Sequence, residues 1–257
     1  MDLELAGRTA FVAASTSGLG RAVATALAAE GANVVITGRR KKLAESIAGS
    51  LPSAVGIGAD LTTSDGRDLA IRRAREAFGN IDIVVLNGPG PQPKAAAALE
   101  ADELASSFDS ILAPAHALVA ATLPGMRERR WGRILALGSS GVVAPLPNLA
   151  LSNTGRAALA GYLKTLAGEV ALDEVTVNML LPGRIATDRV AELDIATAKR
   201  RGISVEQAVL DSRKTIPARR YGEPSEFAAA AAFLCSGPAS YITGVALRCD
   251  GGLIRSL

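Results

Sequence analysis

The run Ile81-Asp82-Ile83-Val84-Val85-Leu86 is short, β-branched and almost continuously apolar. A strand with one face in water alternates apolar and polar residues; an unbroken run implies cover on both faces, as in a parallel sheet between helical layers. The neighbouring segments repeat the theme. Thr9–Ala13, Asn33–Thr37, Ala54–Ile57, Arg133–Leu137 and Val175–Leu180 read as further strands. Between them lie Ala-rich amphipathic stretches: Gly18–Glu30, Arg40–Ala48, Ser64–Phe78 with Ser64 as N-cap, a long helix from about Leu99 to Glu128 kinked at Pro114, and Asn153–Ala171. Strand–helix alternation of this kind predicts an α/β fold, a Rossmann-like doubly wound parallel sheet. No repeat or linker interrupts residues 1–257, so a single domain is expected.

Two segments break the rhythm. Gly88-Pro89-Gly90-Pro91-Gln92-Pro93 has three prolines and reads as a loop at the carboxyl end of a strand, where open α/β sheets bind ligands. Residues 186–217 are rich in charge and read as a partly helical substrate flap over the same edge.

The scarce residues exclude several chemistries. His116 is the one histidine, and Cys235 and Cys249 are the two cysteines. These cannot build a multi-His metal site or a Cys/His zinc cluster, and no metal is expected. No Gly-x-Ser-x-Gly elbow supports a hydrolase triad. Half of the chain is apolar (49%) and its net charge is +3, which fits a soluble protein and not a nucleic-acid binder. The N-terminus carries acids where a signal peptide is basic, and the longest apolar run, Phe227–Cys235, is too short to span a bilayer. A cytoplasmic protein without membrane partners is expected, its thiols reduced.

After the first strand comes Ala13-Ala14-Ser15-Thr16-Ser17-Gly18-Leu19-Gly20, opening directly into a helix. Gly18 and Gly20 let backbone approach a ligand, and the helix N-terminus offers free N–H groups to a pyrophosphate. Ser15, Thr16 and Ser17 add hydroxyls. At the end of the second strand an acid would bind the adenosine 2′-hydroxyl, but Gly38 stands there, followed by Arg39, Arg40, Lys41 and Lys42. With guanidinium groups available and no repelling carboxylate, NADP(H) is expected over NAD(H).

These residues resemble the short-chain dehydrogenase/reductase family along nearly the whole chain, and within it the bacterial 3-oxoacyl-carrier-protein reductases. The Ala13–Gly20 turn resembles the family's Thr-Gly-x-x-x-Gly-x-Gly, with the first two positions altered. Leu86-Asn87-Gly88-Pro89 resembles its Asn-Asn-Ala-Gly strand end. The resemblance implies that Asp60 and Leu61 contact adenine, and that Pro182-Gly183-Arg184-Ile185-Ala186-Thr187 meets the nicotinamide carboxamide, giving Gly183, Ile185 and Thr187 cofactor roles beside Leu19, Asn87 and Gly88. The segments Ile216–Pro224 and Tyr241–Gly252 resemble the family's closing motifs.

The family's catalytic Tyr-x-x-x-Lys is missing. Tyr162, Tyr221 and Tyr241 are followed four residues later by Leu166, Ser225 and Val245. Counting from Ser139, which matches the family serine, Ser152 stands where the tyrosine should be and Arg156 where the lysine should be. The asparagine position of the long helix holds Ile111. Ser152 is a poorer acid than tyrosine, and Arg156 can donate hydrogen bonds to a ribose but cannot relay a proton. The expected function is an NADP(H)-dependent oxidoreductase of a carbonyl/hydroxyl, 3-oxoacyl thioester-like substrate, using Ser139, Ser152 and Arg156. The alternatives are a catalytically degenerate cofactor-binding protein with a sensor or structural role, and an enzyme of another class on the same fold.

Other residues carry weaker readings. Lys94 reads as a solvated loop lysine and His116 as packing or interface. Lys199, Arg200, Arg201, Arg213 and Lys214 of the flap read as a solvated basic face, with an anionic phosphopantetheine or coenzyme A thioester as the functional alternative. The family resemblance gives Arg127, Arg129, Arg130 and Arg133 a second reading, as receivers of an acidic carrier protein. Small residues at Ala157, Ala160, Gly161 and Ala167 fit the family's helix pairing between subunits, so a homodimer or homotetramer is expected.

Overall fold

The computed structural model describes residues 1–256. Seven strands form one parallel sheet: β1 Thr9–Val12, β2 Asn33–Gly38, β3 Ala54–Gly58, β4 Ile83–Leu86, β5 Gly132–Leu137, β6 Val175–Pro182 and β7 Ala246–Cys249. Their order is β3-β2-β1-β4-β5-β6-β7. The chain winds outward from β1 in both directions, which leaves a crevice where β1 and β4 adjoin. Phe11 of β1 lies opposite Val35 of β2 on one side and Val84 of β4 on the other.

Side chains of successive strand residues alternate between two cores, as strand geometry requires. Phe11, Val35, Val84 and Ile134 face one layer, with Ile71 of α3 (Ser64–Phe78), Leu118 and Met126 of α5 (Ala113–Glu128) and Leu163 of α6 (Ala150–Val170). Ala10, Val12, Val34, Ile36 and Leu135 face the other, with Leu27 of α1 (Gly18–Ala29), Ile47 of α2 (Lys41–Ala48) and Phe227 of α9 (Pro224–Leu234). The doubly wound expectation holds.

Several local expectations need correction. Helix α3 is capped by Thr63, whose hydroxyl accepts from the Gly66 N–H at 3.1 Å, rather than by Ser64. The long helix is not one kinked α-helix. It comprises α4 (Ala101–Ser107), a π-helical turn at Phe108–Leu112, and α5. Pro114 has no N–H for the Ser110 carbonyl, and its ring crowds that oxygen; the widened turn accommodates both. A second proline, Pro124, sits inside α5. By length and composition alone Ala101–Glu128 is long and apolar enough to cross a membrane. Here it lines the sheet, with Ile111, Ala115, Leu118, Val119 and Met126 buried. The segment expected to form a flap consists of α7 (Asp188–Arg201) and α8 (Val205–Thr215).

Candidate active site

The turn between β1 and α1 has the shape expected of a phosphate cradle. Gly18 begins α1 with φ +55°, and a Cβ placed on it would meet nothing within 4 Å. The first-turn N–H groups of α1 point out of the helix without intrahelical acceptors, as at any helix start. Gly20 has a different task. It is buried, and a Cβ there would fall 2.6 Å from both the Ala14 carbonyl oxygen and Asn87 Nδ2. Its absence lets α1 close on β4, where Asn87 Nδ2 donates to the Ala14 carbonyl at 3.1 Å. Leu19 lies between these glycines, partly buried.

Ser15 turns inward. It is fully buried, its hydroxyl donates to the Val12 carbonyl at 2.7 Å and accepts from the Thr37 N–H at 3.0 Å. It braces the turn from within, while Ser17 is the exposed hydroxyl at the helix start and makes no capping bond. Thr37, which sequence reading passed over, completes the brace: its Oγ1 accepts from the Ala14 N–H at 3.1 Å. Ala14 occupies φ +47°, a left-handed conformation that favours the glycine of the family pattern.

At the far end of the crevice Arg39 is exposed beyond β2, and Arg40, Lys41 and Lys42 begin α2 with no acid in its first turn. Asp60 accepts from the Thr62 hydroxyl at 2.7 Å and the Thr62 N–H at 3.0 Å. Those bonds, with the nearby Arg39 charge, hold its carboxyl below the usual range. Leu61 lies beside it and lines a cleft shared with Asn87, Gly88 and Ile111.

Arg156 projects from α6 into the same cleft. Its Nη1 donates to the Leu137 carbonyl at the end of β5 (2.9 Å), and its Nε to Ser152 Oγ (3.3 Å). Burial pushes the guanidinium below its ordinary pKa, without removing its charge. Ser139, two residues past β5, caps a 3-10 turn by accepting from the Gly141 N–H at 3.1 Å. Ser152 and Arg156 are thus in direct contact. Ser139 makes no hydrogen bond to either of them: a Cβ on Gly141 would lie 3.3 Å from Ser139 Oγ and 2.5 Å from Asn153 Oδ1, so the turn stands between Ser139 and the start of α6. Ile111, in the π turn, packs against Gly155, where a Cβ would fall 2.7 Å from its Cδ1. This leaves an apolar wall beside the guanidinium.

Beyond β6, Gly183 lies against the Asp250 backbone. Ile185 is buried and bridges to Gly222, and Thr187 holds the N-cap position of α7 without a side-chain capping bond, its hydroxyl donating instead to the Ile185 carbonyl at 3.3 Å. The flap carries a buried acid that sequence reading missed. Asp194 accepts from Arg184 Nη1 at 3.0 Å and from the Tyr221 hydroxyl at 2.8 Å. Lys94 is ion-paired with Glu103 on α4. Arg127, Arg129 and Arg130 pair with Asp173, Asp82 and Glu174. Arg133 is buried and donates to the carbonyls of Ser236, Gly132 and Glu174. In the flap, Arg201 pairs with Asp211, and Lys214 approaches the same carboxylate at 3.7 Å. His116 is exposed and its ring lies obliquely against that of Tyr162 at 5.6 Å. No cluster of three metal-ligating side chains occurs among the described residues.

Fold and cleft define a Rossmann-like α/β protein with a nucleotide cradle at its switch point. A family model described as Enoyl-(Acyl carrier protein) reductase matches residues 13–254, and the chain belongs to the short-chain dehydrogenase/reductase family. It is 34% identical over 253 residues to 3-oxoacyl-[acyl-carrier-protein] reductase FabG of Haemophilus influenzae, covering 97% of this chain and 99% of the relative. FabG of Escherichia coli is also 34% identical, over 251 residues, with 96% and 97% covered. Among solved structures, L-sorbose reductase from Gluconobacter frateurii, complexed with NADPH and L-sorbose, superposes with a TM-score of 0.94 at 30% identity, covering 100% of both chains. YwfH, an NADPH-dependent reductase involved in bacilysin biosynthesis, gives 0.92 at 28% identity, with 97% and 99% covered.

Proposed function

We propose that the chain is an NADP(H)-dependent oxidoreductase that interconverts a 3-oxoacyl-type carbonyl compound and its hydroxyl form, with Ser139, Ser152 and Arg156 at the reacting oxygen. The observation that carries this reading is the Arg156–Ser152 contact at 3.3 Å, with the guanidinium anchored on the Leu137 carbonyl.

The residues present fit a dinucleotide. The open φ +55° turn at Gly18 and the bare start of α1 suit a pyrophosphate, and the Arg39–Lys42 cluster suits a 2′-phosphate. Asn87 and Gly88 at the cleft mouth, and Gly183, Ile185 and Thr187 after β6, would hold the nicotinamide half, with Arg156 donating to its ribose. Relatives and neighbours described as 3-oxoacyl-carrier-protein reductases and NADPH-dependent reductases support both halves of the proposal.

The bound nicotinamide supplies hydride to the carbonyl carbon. Ser139 Oγ already accepts from the Gly141 N–H, which leaves its O–H to donate to the carbonyl oxygen. Ser152 Oγ accepts from Arg156 Nε, so its O–H is likewise free to donate, polarised by the adjacent cation. Arg156 contributes a fixed charge to the oxygen as it becomes anionic. Since guanidinium does not deprotonate, the proton that completes the alcohol comes from water.

A second copy of the chain is the proposed partner for the face of α4, α5 and α6. Leu104 and Phe108 are exposed there at 40% and 38%, and nothing crowds Gly161. The alternative partner, an acidic carrier protein, would have to compete with the Asp82 and Glu174 that hold Arg129 and Arg130. Changing both arginines and finding carrier-protein binding unaltered would remove that partner; sedimentation as a monomer at micromolar concentration would remove the oligomer.

The experiment that tests the function is a fluorescence titration with NADPH and NADH, followed by turnover of a ketone panel. Micromolar NADPH binding, much weaker NADH binding and carbonyl reduction are expected. NADPH binding without turnover of any carbonyl would favour a sensor or structural role.

A further inference from the structure

Arg67 and Arg75 also donate to carbonyls without a carboxylate partner, but Arg156 does so inside the cleft, and its surroundings differ from those of the ion-paired arginines. Arg129, Arg130, Arg184 and Arg220 each face a carboxylate within 3.1 Å. Arg133, more deeply buried, has three carbonyl acceptors and lies over the Trp131 ring at 4.4 Å. Arg156 has one carbonyl and one hydroxyl, and no carboxylate lies within 4.0 Å of it among the described residues. Its cleft is walled by Leu86, Ile111, Leu118, Leu137 and Leu159. A cation drawn out of water into apolar surroundings is costly until an anion meets it.

The guanidinium also has spare donors. Of its five N–H groups, Nε and one on Nη1 are engaged. Three remain, enough for the paired, parallel bonds that a carboxylate accepts. A ribose hydroxyl can accept one of them but brings no charge.

We infer that Arg156 is the receptor for a substrate carboxylate, and that the cleft takes free 3-oxo acids with short apolar tails in preference to neutral esters or thioesters. This rests on the oxidoreductase reading above and narrows its substrate. The carboxylate meets Arg156, the leucine walls take the tail, and the Ser152 hydroxyl stays available to the keto oxygen.

The test is isothermal titration calorimetry of the full chain saturated with NADP⁺, where no reduction can follow. The probes are 3-oxobutanoate and 3-oxohexanoate, each against its methyl ester. Each acid is expected to bind at least tenfold more tightly than its ester, and 3-oxohexanoate more tightly than 3-oxobutanoate. Arg156→Ala should abolish the preference and Arg156→Lys should restore part of it, each variant being titrated at an NADP⁺ concentration that saturates it. Equal binding of acid and ester, or an acid preference that survives Arg156→Ala, overturns the inference. So does a collapse of NADP⁺ affinity in Arg156→Ala, which would assign the guanidinium to a cofactor phosphate. If Arg156→Ala does not fold, the wild-type comparison of acid with ester decides alone. Titrating the cofactor-free protein separates the two readings: acid preference without any dinucleotide binding retains this inference and removes the oxidoreductase, while reduction of neutral ketones without acid preference does the reverse.

Discussion

Arg184 and Asp194 tie the cofactor-side loop to the flap. The loop leaves β6 at Pro182, and ten residues after Arg184 the chain returns Asp194 to within 3.0 Å of its guanidinium. Asp194 is 3% exposed, and its second oxygen takes the Tyr221 hydroxyl, so one carboxylate joins the β6 exit, α7 and the segment before α9. Asp194→Ala would leave Arg184 without its partner and Tyr221 with an unmet phenol. Hydrogen bonds to charged groups contribute about 1.5–3 kcal/mol each, and Arg184 is partly solvated, so a loss of about 2–3 kcal/mol is expected in urea unfolding. An unfolding midpoint equal to wild type would show that the flap is held by other contacts.

Ala14 predicts a change in the opposite direction. A left-handed conformation costs an L-residue about 1–2 kcal/mol, partly offset by the greater unfolded-state freedom of glycine. Ala14→Gly should therefore stabilise the protein by about 0.5–1 kcal/mol. Thermal unfolding with and without NADPH checks it, and a destabilised variant would mean that the Ala14 methyl makes contacts worth more than the strain.

With a neutral ketone, which has no carboxylate for Arg156 to bind, removal of Arg156 should act mainly on kcat. Loss of one preorganised charge at a developing oxyanion costs about 10²–10³ in rate. Arg156→Ala should fall in that range with a ketone substrate, and Ser139→Ala should show a smaller but clear loss. Steady-state kinetics decide; unchanged turnover in both would remove the assigned roles.

Restoring the family's pair is the reciprocal experiment. Ser152→Tyr combined with Arg156→Lys reintroduces a proton donor and a lysine beside it. A positioned general acid contributes about 10²–10⁴, so ketone reduction should rise toward that extent if the surrounding cleft is competent. Cofactor affinity measured alongside would show whether a silent double variant still binds the dinucleotide.

The acid limb of stability should depend on Glu226. Its carboxyl is held at about 2 by Arg220 and by the Glu223 N–H, against an ordinary value of 4.5. A depressed carboxyl stabilises the fold fully above its unfolded value and loses that contribution as pH falls through the folded one. The loss is therefore confined to the window from about pH 4.5 down to about 2. Glu226→Gln should flatten that part of the stability–pH curve; identical acid limbs would assign the effect to other carboxylates.

The sequence revealed what depends on neighbours along the chain. β1 and β4 were legible because both faces of Phe11–Val12 and Val84–Val85 are buried, which leaves a continuous apolar run. β7 was not, since it is an edge strand of four residues whose first two, Ala246 and Leu247, are exposed. The turn at Gly18 was legible as a nucleotide cradle, yet the bracing bonds of Ser15 were not, because only the third dimension turns its hydroxyl back to Val12 and Thr37. Asp194 was hidden among flap charges that looked solvated. The carboxylates facing Arg127, Arg129 and Arg130 lie 44 to 47 residues away in sequence, beyond any local pattern.

The π turn at Phe108–Leu112 sets a fixed phase offset between the two halves of the long helix. Each residue of an α-helix advances by about 100°, so a single inserted position resets the phase of everything after it. Ahead of the turn, Glu100 and Glu103 set the start of α4 and Glu103 holds Lys94; after it, Leu118, Val119 and Met126 must face the sheet. With the extra residue absorbed within the π turn, α4 and α5 each keep the phase that their own contacts require. Deleting one residue from Phe108–Leu112 would convert that fit into a conflict, turning Leu118 and Met126 away from β4 and β5 while the substrate end of the helix stayed in place.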